Sequence, residues 1–223
     1  MPEKFFSSLD KLRDSLGDMG AATGVQLDRA MEAFRAVDHD LANRVMKTED
    51  EIDAMEIKHE NQIVNLIARH QPVARDLRLL IACLRVNADI ERVGDLAMKI
   101  ARNTLRIPPG SALFQVDRVL DLAAMARASW TDALHAFAKL DDALAEQVRS
   151  RDVEINRVNG QILSGIASGP RATEEQSLVV TNVVAVSKHL ERVGDIAVDV
   201  SLETIYAARG EQARHARLAE TKG

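Results

Sequence analysis

Apolar residues recur every three or four positions along most of the chain, which is the spacing of one face of an α-helix. A clear example in the first fifty residues consists of Leu27, Met31, Phe34, Val37, Leu41 and Val45. Alternation of apolar and polar residues, which is typical of a half-buried strand, does not extend over a useful length. The pattern therefore predicts an all-α protein without a β-sheet.

The chain contains this pattern twice. A shift of 103 residues pairs Asp38 with Asp141 and residues 51–52 with residues 154–155. Farther along, the shift becomes 100, and the residues Glu-Arg-Val-Gly-Asp at 91–95 recur unchanged at 191–195. A loop of different length between the matched blocks would produce this change. We therefore expect an internal duplication.

Each copy is predicted to form three helices, six in total, so that the fold is two tandem three-helix bundles. In the first copy, breaks are expected near residues 47–48 and 71–72, and the third helix runs to about residue 105. Thr48 and Glu51 have the spacing of a capping box at the start of the second helix. Pro72 is expected in the first turn of the third helix, where proline is tolerated.

The second copy repeats this plan, with a break at Gly169-Pro170 and helices at about 114–146, 150–167 and 173–209. The sequence Pro-Pro-Gly at 108–110 cannot continue a helix and is expected to join the two copies. The domains are therefore predicted as residues 1–107, the first bundle, and residues 108–223, the second. Gly17, Gly20 and Gly24 predict a loosened segment in the first helix.

Composition and charge exclude several classes of protein for this 223-residue chain. Apolar residues make up 46% of it, which excludes general disorder, and the net charge of −5 without a basic run argues against nucleic-acid binding. The longest apolar run, 79–84, is far shorter than the ~20 residues of a membrane span, and the charged start does not resemble a signal peptide. Cys83 is the only cysteine, which fits a reducing compartment. We therefore expect a soluble cytoplasmic protein.

The repeated five residues place a glutamate and an aspartate four positions apart on one helix face, nearly opposite the apolar stripe. In the second copy four acids follow at such steps: Glu191, Asp195, Asp199 and Glu203. Like charges at this spacing repel each other, and a hard cation would remove the penalty. Gly94 and Gly194 lie beside the acids, and glycine costs a helix interior ~1 kcal/mol. Its recurrence predicts close approach by another group.

One helix face is an incomplete metal site, so the second helices must supply further ligands. The predicted metal ligands are Glu91, Asp95, Glu191, Asp195, Asp199, Glu49, Asp53 and Asp152. Such oxygen ligands suit a divalent or trivalent metal ion such as Fe, Mn or Mg, and a neighbouring histidine would add Zn. The alternative is a solvated acidic face that binds no metal, in which Lys99 pairs with Asp95.

These residues resemble a known family. Residues 69–78, 89–101 and 190–198, together with 50–53, are similar to the PhoU family, the phosphate-specific regulatory accessory proteins of bacteria. The resemblance covers nearly the whole chain, including the duplication. It implies two three-helix bundles, often dimeric, in a cytoplasmic protein. It also implies association at the membrane with a phosphate ABC transporter and a sensor histidine kinase, and repression of the phosphate-starvation response when phosphate is sufficient.

The resemblance also bears on metal binding. Some members of the family bind multinuclear metal clusters through a Glu/Asp-x-x-x-Asp motif, which here corresponds to Glu91 and Asp95 and to residues 191 and 195. The family often has asparagine four residues after the motif aspartate. This chain has Lys99 in the first copy and Asp199 in the second.

The leading interpretation is a non-enzymatic negative regulator of the phosphate-starvation response and of phosphate uptake, with an indirect effect on transcription. It would be a homodimer that contacts the ATPase subunit of a phosphate ABC transporter and a sensor histidine kinase. It would reach the membrane only through these partners and bind no nucleic acid.

Two alternatives belong to other classes. The first is a metal-dependent helical-bundle enzyme, because Glu56-x-x-His59 has the spacing of a di-iron ligand pair. The residue that corresponds to His59 in the second copy is Ile162, so the second pair that this site needs is absent. Ser15 has no base partner that the sequence reveals. The second alternative is a structural adaptor whose acidic ladders bind nothing.

Overall fold

The computed structural model describes residues 3–168 and 173–210, and every regular element in these ranges is an α-helix. The helices are α1 (Glu3–Ala36), α2 (His39–Met46), α3 (Glu49–His70), α4 (Ala74–Thr104), α5 (Val116–Lys139), α6 (Asp142–Ala167) and α7 (Glu174–Arg209). The all-α prediction is confirmed. The predicted break at Gly169-Pro170 lies outside the described residues.

The two copies turn at equivalent positions. Val37 and Leu140 adopt left-handed backbone conformations, with φ of 50° and 53°. The next residue is an aspartate in both cases, and Asp38 and Asp141 each accept a 2.9 Å hydrogen bond from the backbone N–H three residues on. An aspartate in this position caps the new helix. In the first copy α2 and α3 together correspond to α6, so each copy has three helical segments. The predicted first helix, which included Leu41 and Val45, ends at Ala36, and these two residues lie on α2.

The predicted boundary between the first two helices of the second copy is wrong. It was expected between residues 146 and 150, whereas α5 ends at Lys139 and α6 runs without a break from Asp142 to Ala167. The turn is hidden in the apolar pattern because residues on both sides of it face the same core. The signal that marks it is the capping aspartate.

Two predicted helix starts need correction. Thr48 occupies the N-cap of α3, but its hydroxyl donates to the carbonyl of Val45 at 2.7 Å, so the capping box with Glu51 does not form. Pro72 precedes α4, which begins at Ala74, and so does not lie in its first turn.

One hydrophobic core runs through both copies and contains side chains of all seven helices. Trp130 of α5 is fully buried, and its indole N–H donates to the carbonyl of Gly20 in α1 at 3.1 Å. The side chain of Leu134 lies directly over Gly20, where a β-carbon would collide with it. The glycine therefore allows α1 and α5 to pack closely, and α1 is continuous. The predicted loosening of α1 is wrong.

None of the described helices combines the length and the apolarity that a membrane span requires.

Candidate functional site: two acidic clefts

Equivalent isoleucines pack on the two repeated glycines. A β-carbon on Gly94 would lie 3.5 Å from Cγ2 of Ile52, and one on Gly194 would lie 3.0 Å from Cδ1 of Ile155. The close approach that the glycines predict is therefore confirmed. The absent β-carbon lets α6 lie closely against α7, and at Gly94 it leaves room for the Gln26 side chain of α1, 3.2 Å from that position.

The first acidic cleft lies where α3 meets α4. Asp53 of α3 and both Glu91 and Asp95 of α4 line it, together with Gly94. The three carboxylates are half-buried. They therefore do not project from the outward side of α4, opposite the apolar stripe, as the helical pattern predicts.

The carboxylates in this cleft repel each other. The pKa of Glu91 is raised to about 7, by burial first and then by Asp95, Glu56 and Asp53, while Lys99 opposes the rise. The pKa of Glu56 is also raised, again mainly by burial and then by Asp53. Such a group of acids favours the uptake of a proton or a cation. The sequence predicted Glu56 only as a di-iron ligand with His59 and not as part of this cleft, although its position three residues after Asp53 places the two acids on one face of α3.

A buried amide lies in the same cleft. Gln26 of α1 is 5% exposed, and its Nε2 donates to Oγ1 of Thr48 at 2.9 Å. Its Oε1 accepts no hydrogen bond within the described structure and lies 3.2 Å from the position of a β-carbon on Gly94. A buried oxygen without a donor, next to carboxylates, is a ligand that a hard cation can use. The sequence does not reveal Gln26, because it lies on a helix that carries none of the repeated acids.

Lys99 pairs with Asp95, as the alternative to metal binding anticipated. Its Nζ lies 3.1 Å from Oδ2 of Asp95, and the two side chains are 45% and 37% exposed. An ion pair this exposed contributes at most about 1 kcal/mol. A cation that binds Asp95 therefore displaces Lys99 at a small cost in free energy.

The second acidic cleft lies where α6 meets α7. Oδ1 of Asp152 is 3.7 Å from the position of a β-carbon on Gly194, and Nδ2 of Asn156 donates to the other carboxylate oxygen of Asp152 at 2.9 Å. Asp195 forms an ion pair of 3.1 Å with Arg192. Cationic and amide donors therefore already contact the acids of this cleft.

The ladder of α7 is shorter than predicted. Glu191, Asp195 and Asp199 are half-buried, but Glu203 is 1% exposed. Nη1 of Arg85, on α4, lies 3.3 Å and 3.1 Å from the two carboxylate oxygens of Glu203. Glu203 therefore joins α4 to α7 instead of extending the acidic cleft.

Within the described residues, no group of three or more His, Cys, Asp and Glu side chains is arranged to hold a metal ion. Asp53, Glu91 and Asp95 share one cleft, and Asp152 contacts α7 beside Asp195. The side chain of Glu49 lies outside the described part of the chain. The structure thus gathers oxygen ligands without forming a complete coordination shell.

A chain of polar groups connects α1, α3 and α4. Oγ of Ser15 lies 2.7 Å from Nε2 of His59, and Nδ1 of His59 lies 3.0 Å from Oδ1 of Asn87. The sequence did not reveal this partner of Ser15 because it lies 44 residues away. His59 is 1% exposed with both ring nitrogens engaged, so it does not form the di-iron ligand pair with Glu56.

Comparison with known proteins identifies relatives along the whole chain. The family model of the PhoU domain matches residues 16–104 and again residues 119–204, which confirms the duplication. A phosphate-specific transport system accessory protein PhoU homolog from Burkholderia sp is 32% identical over 218 residues, which cover 96% of this chain and 93% of that protein. The homolog from Pseudomonas aeruginosa is 31% identical over 225 residues, which cover 99% and 91% of the two chains.

Solved structures show the same fold. The crystal structure of PhoU from Pseudomonas aeruginosa matches with a TM-score of 0.84 at 31% identity, over 93% of this chain and all (100%) of that chain. The phosphate transport system regulatory protein PhoU from Streptococcus pneumoniae matches with a TM-score of 0.83 at 21% identity, over 94% and 99% of the chains. The latter likeness shows the fold alone.

Proposed function

We propose, because this chain belongs to the PhoU family, that it is a cytoplasmic, homodimeric negative regulator of phosphate uptake and of the phosphate-starvation response. The supporting observation is that both copies match the family and that named phosphate-transport accessory proteins align with 96% or more of the chain. A role in the regulation of phosphate transport follows from this match. The proposed partners are the ATPase subunit of a phosphate ABC transporter and a sensor histidine kinase.

Deletion of the gene tests the regulatory role. We expect the deletion strain to express phosphate-starvation genes in phosphate-rich medium, and we expect the tagged protein to co-purify with the transporter ATPase subunit or the kinase. A deletion strain that still represses these genes normally would contradict the proposal. Complementation with the wild-type gene controls for effects on neighbouring genes.

We further propose that the first acidic cleft binds a divalent or trivalent cation. Asp53, Glu91 and Asp95 would hold it, together with Oε1 of Gln26. These residues fit such an ion because they are oxygen ligands in one cleft, and because the amide oxygen accepts no hydrogen bond from the described residues. When bound, the ion would supply positive charge that offsets the repulsion among the carboxylates and would join α1, α3 and α4.

Elemental analysis of protein purified without a histidine tag tests this proposal. We expect bound Fe, Zn, Mn or Mg, removal by a chelator, and a rise in melting temperature when the metal is restored. Asp53→Asn/Glu91→Gln should abolish that rise, whereas Asp10→Asn/Glu32→Gln on exposed helix faces should retain it. Equal metal content in both double variants would contradict the proposal and favour an adaptor with empty clefts. Metal-dependent turnover that is lost in Asp195→Ala would favour the enzyme alternative.

A further inference from the structure

A groove open to solvent lies on the first copy, where α1 faces α2 and the first turn of α3. Its volume is about 520 Å³. Its apolar lining consists of Ala22, Val25, Leu41, Val45 and Ile52. The lining positions on α1 and on α2 follow the spacing of one helix face on each helix.

Two arginines stand in this groove without a partner. Arg29 and Arg44 are exposed and line it, and neither joins an ion pair or a side-chain hydrogen bond with any residue that the structure describes. Glu51 is the only acidic residue in the lining, so two arginines and one glutamate give the groove a net positive charge. Guanidinium groups bind carboxylates with paired hydrogen bonds. The groove therefore offers cationic groups beside an apolar surface.

In the second copy, an ion pair joins two helices at the equivalent positions. Asp132 and Arg151 correspond to Arg29 and Thr48, and they form an ion pair that joins α5 to α6. In the first copy the equivalent ion pair does not form, because position 29 is cationic and Thr48 is neutral and accepts a hydrogen bond from Gln26 of α1 instead. The difference is therefore local to the groove and does not follow from the shared framework.

We propose that this groove is the docking site for an acidic amphipathic helix of a partner protein. The apolar face of such a helix would cover Ala22, Val25 and Leu41, and its carboxylates would reach Arg29 and Arg44. The volume of about 520 Å³ lies inside the range of ligand sites, so the groove can hold side chains of a partner. A single small oxyanion would leave the apolar lining exposed, which favours a helix as the occupant. The inference rests on the proposed function insofar as the protein acts by binding partners, and it adds the surface and its specificity.

Binding of three synthetic helical peptides to the full chain tests the inference by fluorescence anisotropy. The peptides share one leucine-rich face and carry Glu, Gln or Lys on the polar flanks. We expect the Glu peptide to bind about tenfold more tightly than the Gln peptide at low salt, and the preference to shrink as salt is added. Equal affinities for the three peptides would overturn the inference.

Charge-matched variants locate the site. Arg29→Glu/Arg44→Glu should abolish the preference for the Glu peptide. Arg102→Glu/Arg118→Glu makes the same change in charge at exposed arginines outside the groove and should retain it. Loss of the preference in this control, or its survival in the groove variant, would show a non-specific charge effect and overturn the inference.

A closing variant copies the second bundle into the first. Arg29→Asp/Thr48→Arg installs the residue pair that bridges α5 and α6. The variant also removes the hydroxyl that accepts from Gln26, so its helix content is first compared with that of the wild type by circular dichroism. We expect it to lose affinity for the Glu peptide about as fully as the charge-reversal variant does. Tight binding of the Glu peptide to a folded closing variant would overturn the inference.

Competition with inorganic phosphate distinguishes a docking site for the peptide from a site for a smaller anion. Displacement of the Glu peptide by phosphate, with phosphate binding lost in the groove variant, would identify an oxyanion site and overturn the helix proposal. The co-purification experiment tests the proposed function separately. If the protein binds the Glu peptide but captures no transporter subunit or kinase, the proposed function is contradicted and the docking site stands. If it captures one of these partners but shows no preference for the Glu peptide, the docking site is contradicted and the proposed function stands.

Discussion

The two copies share their packing and differ in their polar groups. Ile52 and Ile155 lie on Gly94 and Gly194 in the same way, and the pattern of burial along 91–97 recurs along 191–197. These positions determine how closely two helices approach. A change at one of them must be matched by its neighbours, which keeps the copies alike.

The polar positions have diverged. Asp53 and Glu56 of the first copy correspond to Asn156 and Asn159 of the second, so the first acidic cleft gathers more negative charge. Asn103 of α4 corresponds to Glu203 of α7, which bridges back to α4. These polar positions differ although the packing beside the two glycines is shared. The helix packing is therefore common to both copies, while each copy has its own set of polar and charged side chains.

The largest expected effect concerns the shared packing. Ile52→Ala and Ile155→Ala should each lower the free energy of unfolding by about 2–5 kcal/mol, because each removes a buried side chain and opens a cavity over a glycine. Urea unfolding measures both, and Val153→Ala is the control, since Val153 is 70% exposed and should change stability by less than about 0.5 kcal/mol. If only one isoleucine variant is destabilised, the packing equivalence of the two copies is wrong.

The next effect concerns the ion pair between Glu203 of the second copy and Arg85 of the first. Arg85→Met should lower the free energy of unfolding by about 1–3 kcal/mol, because it deprives the buried carboxylate of Glu203 of a charged donor. Arg127→Met, which breaks the exposed ion pair with Asp28, should cost at most about 1 kcal/mol. Thermal unfolding of both variants measures the difference. Equal losses would show that burial of Glu203 does not set the cost.

Much of the fold could be predicted because the apolar period and the duplication report on packing. The break at 47–48, the break before α4 and the proline-rich joint all carry local signals. The turns at Val37 and Leu140 were missed because the apolar pattern continues through them, and only Asp38 and Asp141 mark them. Periodicity identifies the face that is buried, whereas the capping residue locates the end of the helix.

The site could be predicted only where one helix carries it. Glu91 and Asp95 share a face of α4, so their spacing reveals them, and Asp53 was predicted because a site on one helix face needs ligands from the neighbouring helix. Gln26 was missed because its approach to Gly94 depends on how α1 packs against α4. The pairing of Glu203 with Arg85 was missed for the same reason, since the contact lies between α4 and α7 and no local pattern reports it.

The smallest expected effect concerns the difference in charge between the two clefts, which is measured through the pKa of Glu91. Its pKa is about 7 in the folded protein and about 4.5 ordinarily, so the folded state holds the proton more tightly than the unfolded chain does. The contribution of this group to stability is therefore fully present below about pH 4.5 and is lost as the pH rises toward 7. In chelator-treated protein, Glu91→Gln should remove that part of the pH dependence, as measured by urea unfolding across this range.

Two further variants move the same pKa in opposite directions. Asp53→Asn introduces the asparagine of the second copy, removes a neighbouring negative charge and should lower the pKa of Glu91. Lys99→Met removes the one cation that opposes the shift and should raise the pKa further. Carboxyl chemical shifts measured by NMR titration would follow both changes. If the two variants move the pKa in the same direction, charges inside the cleft do not govern Glu91, and the difference between the clefts lies in burial alone.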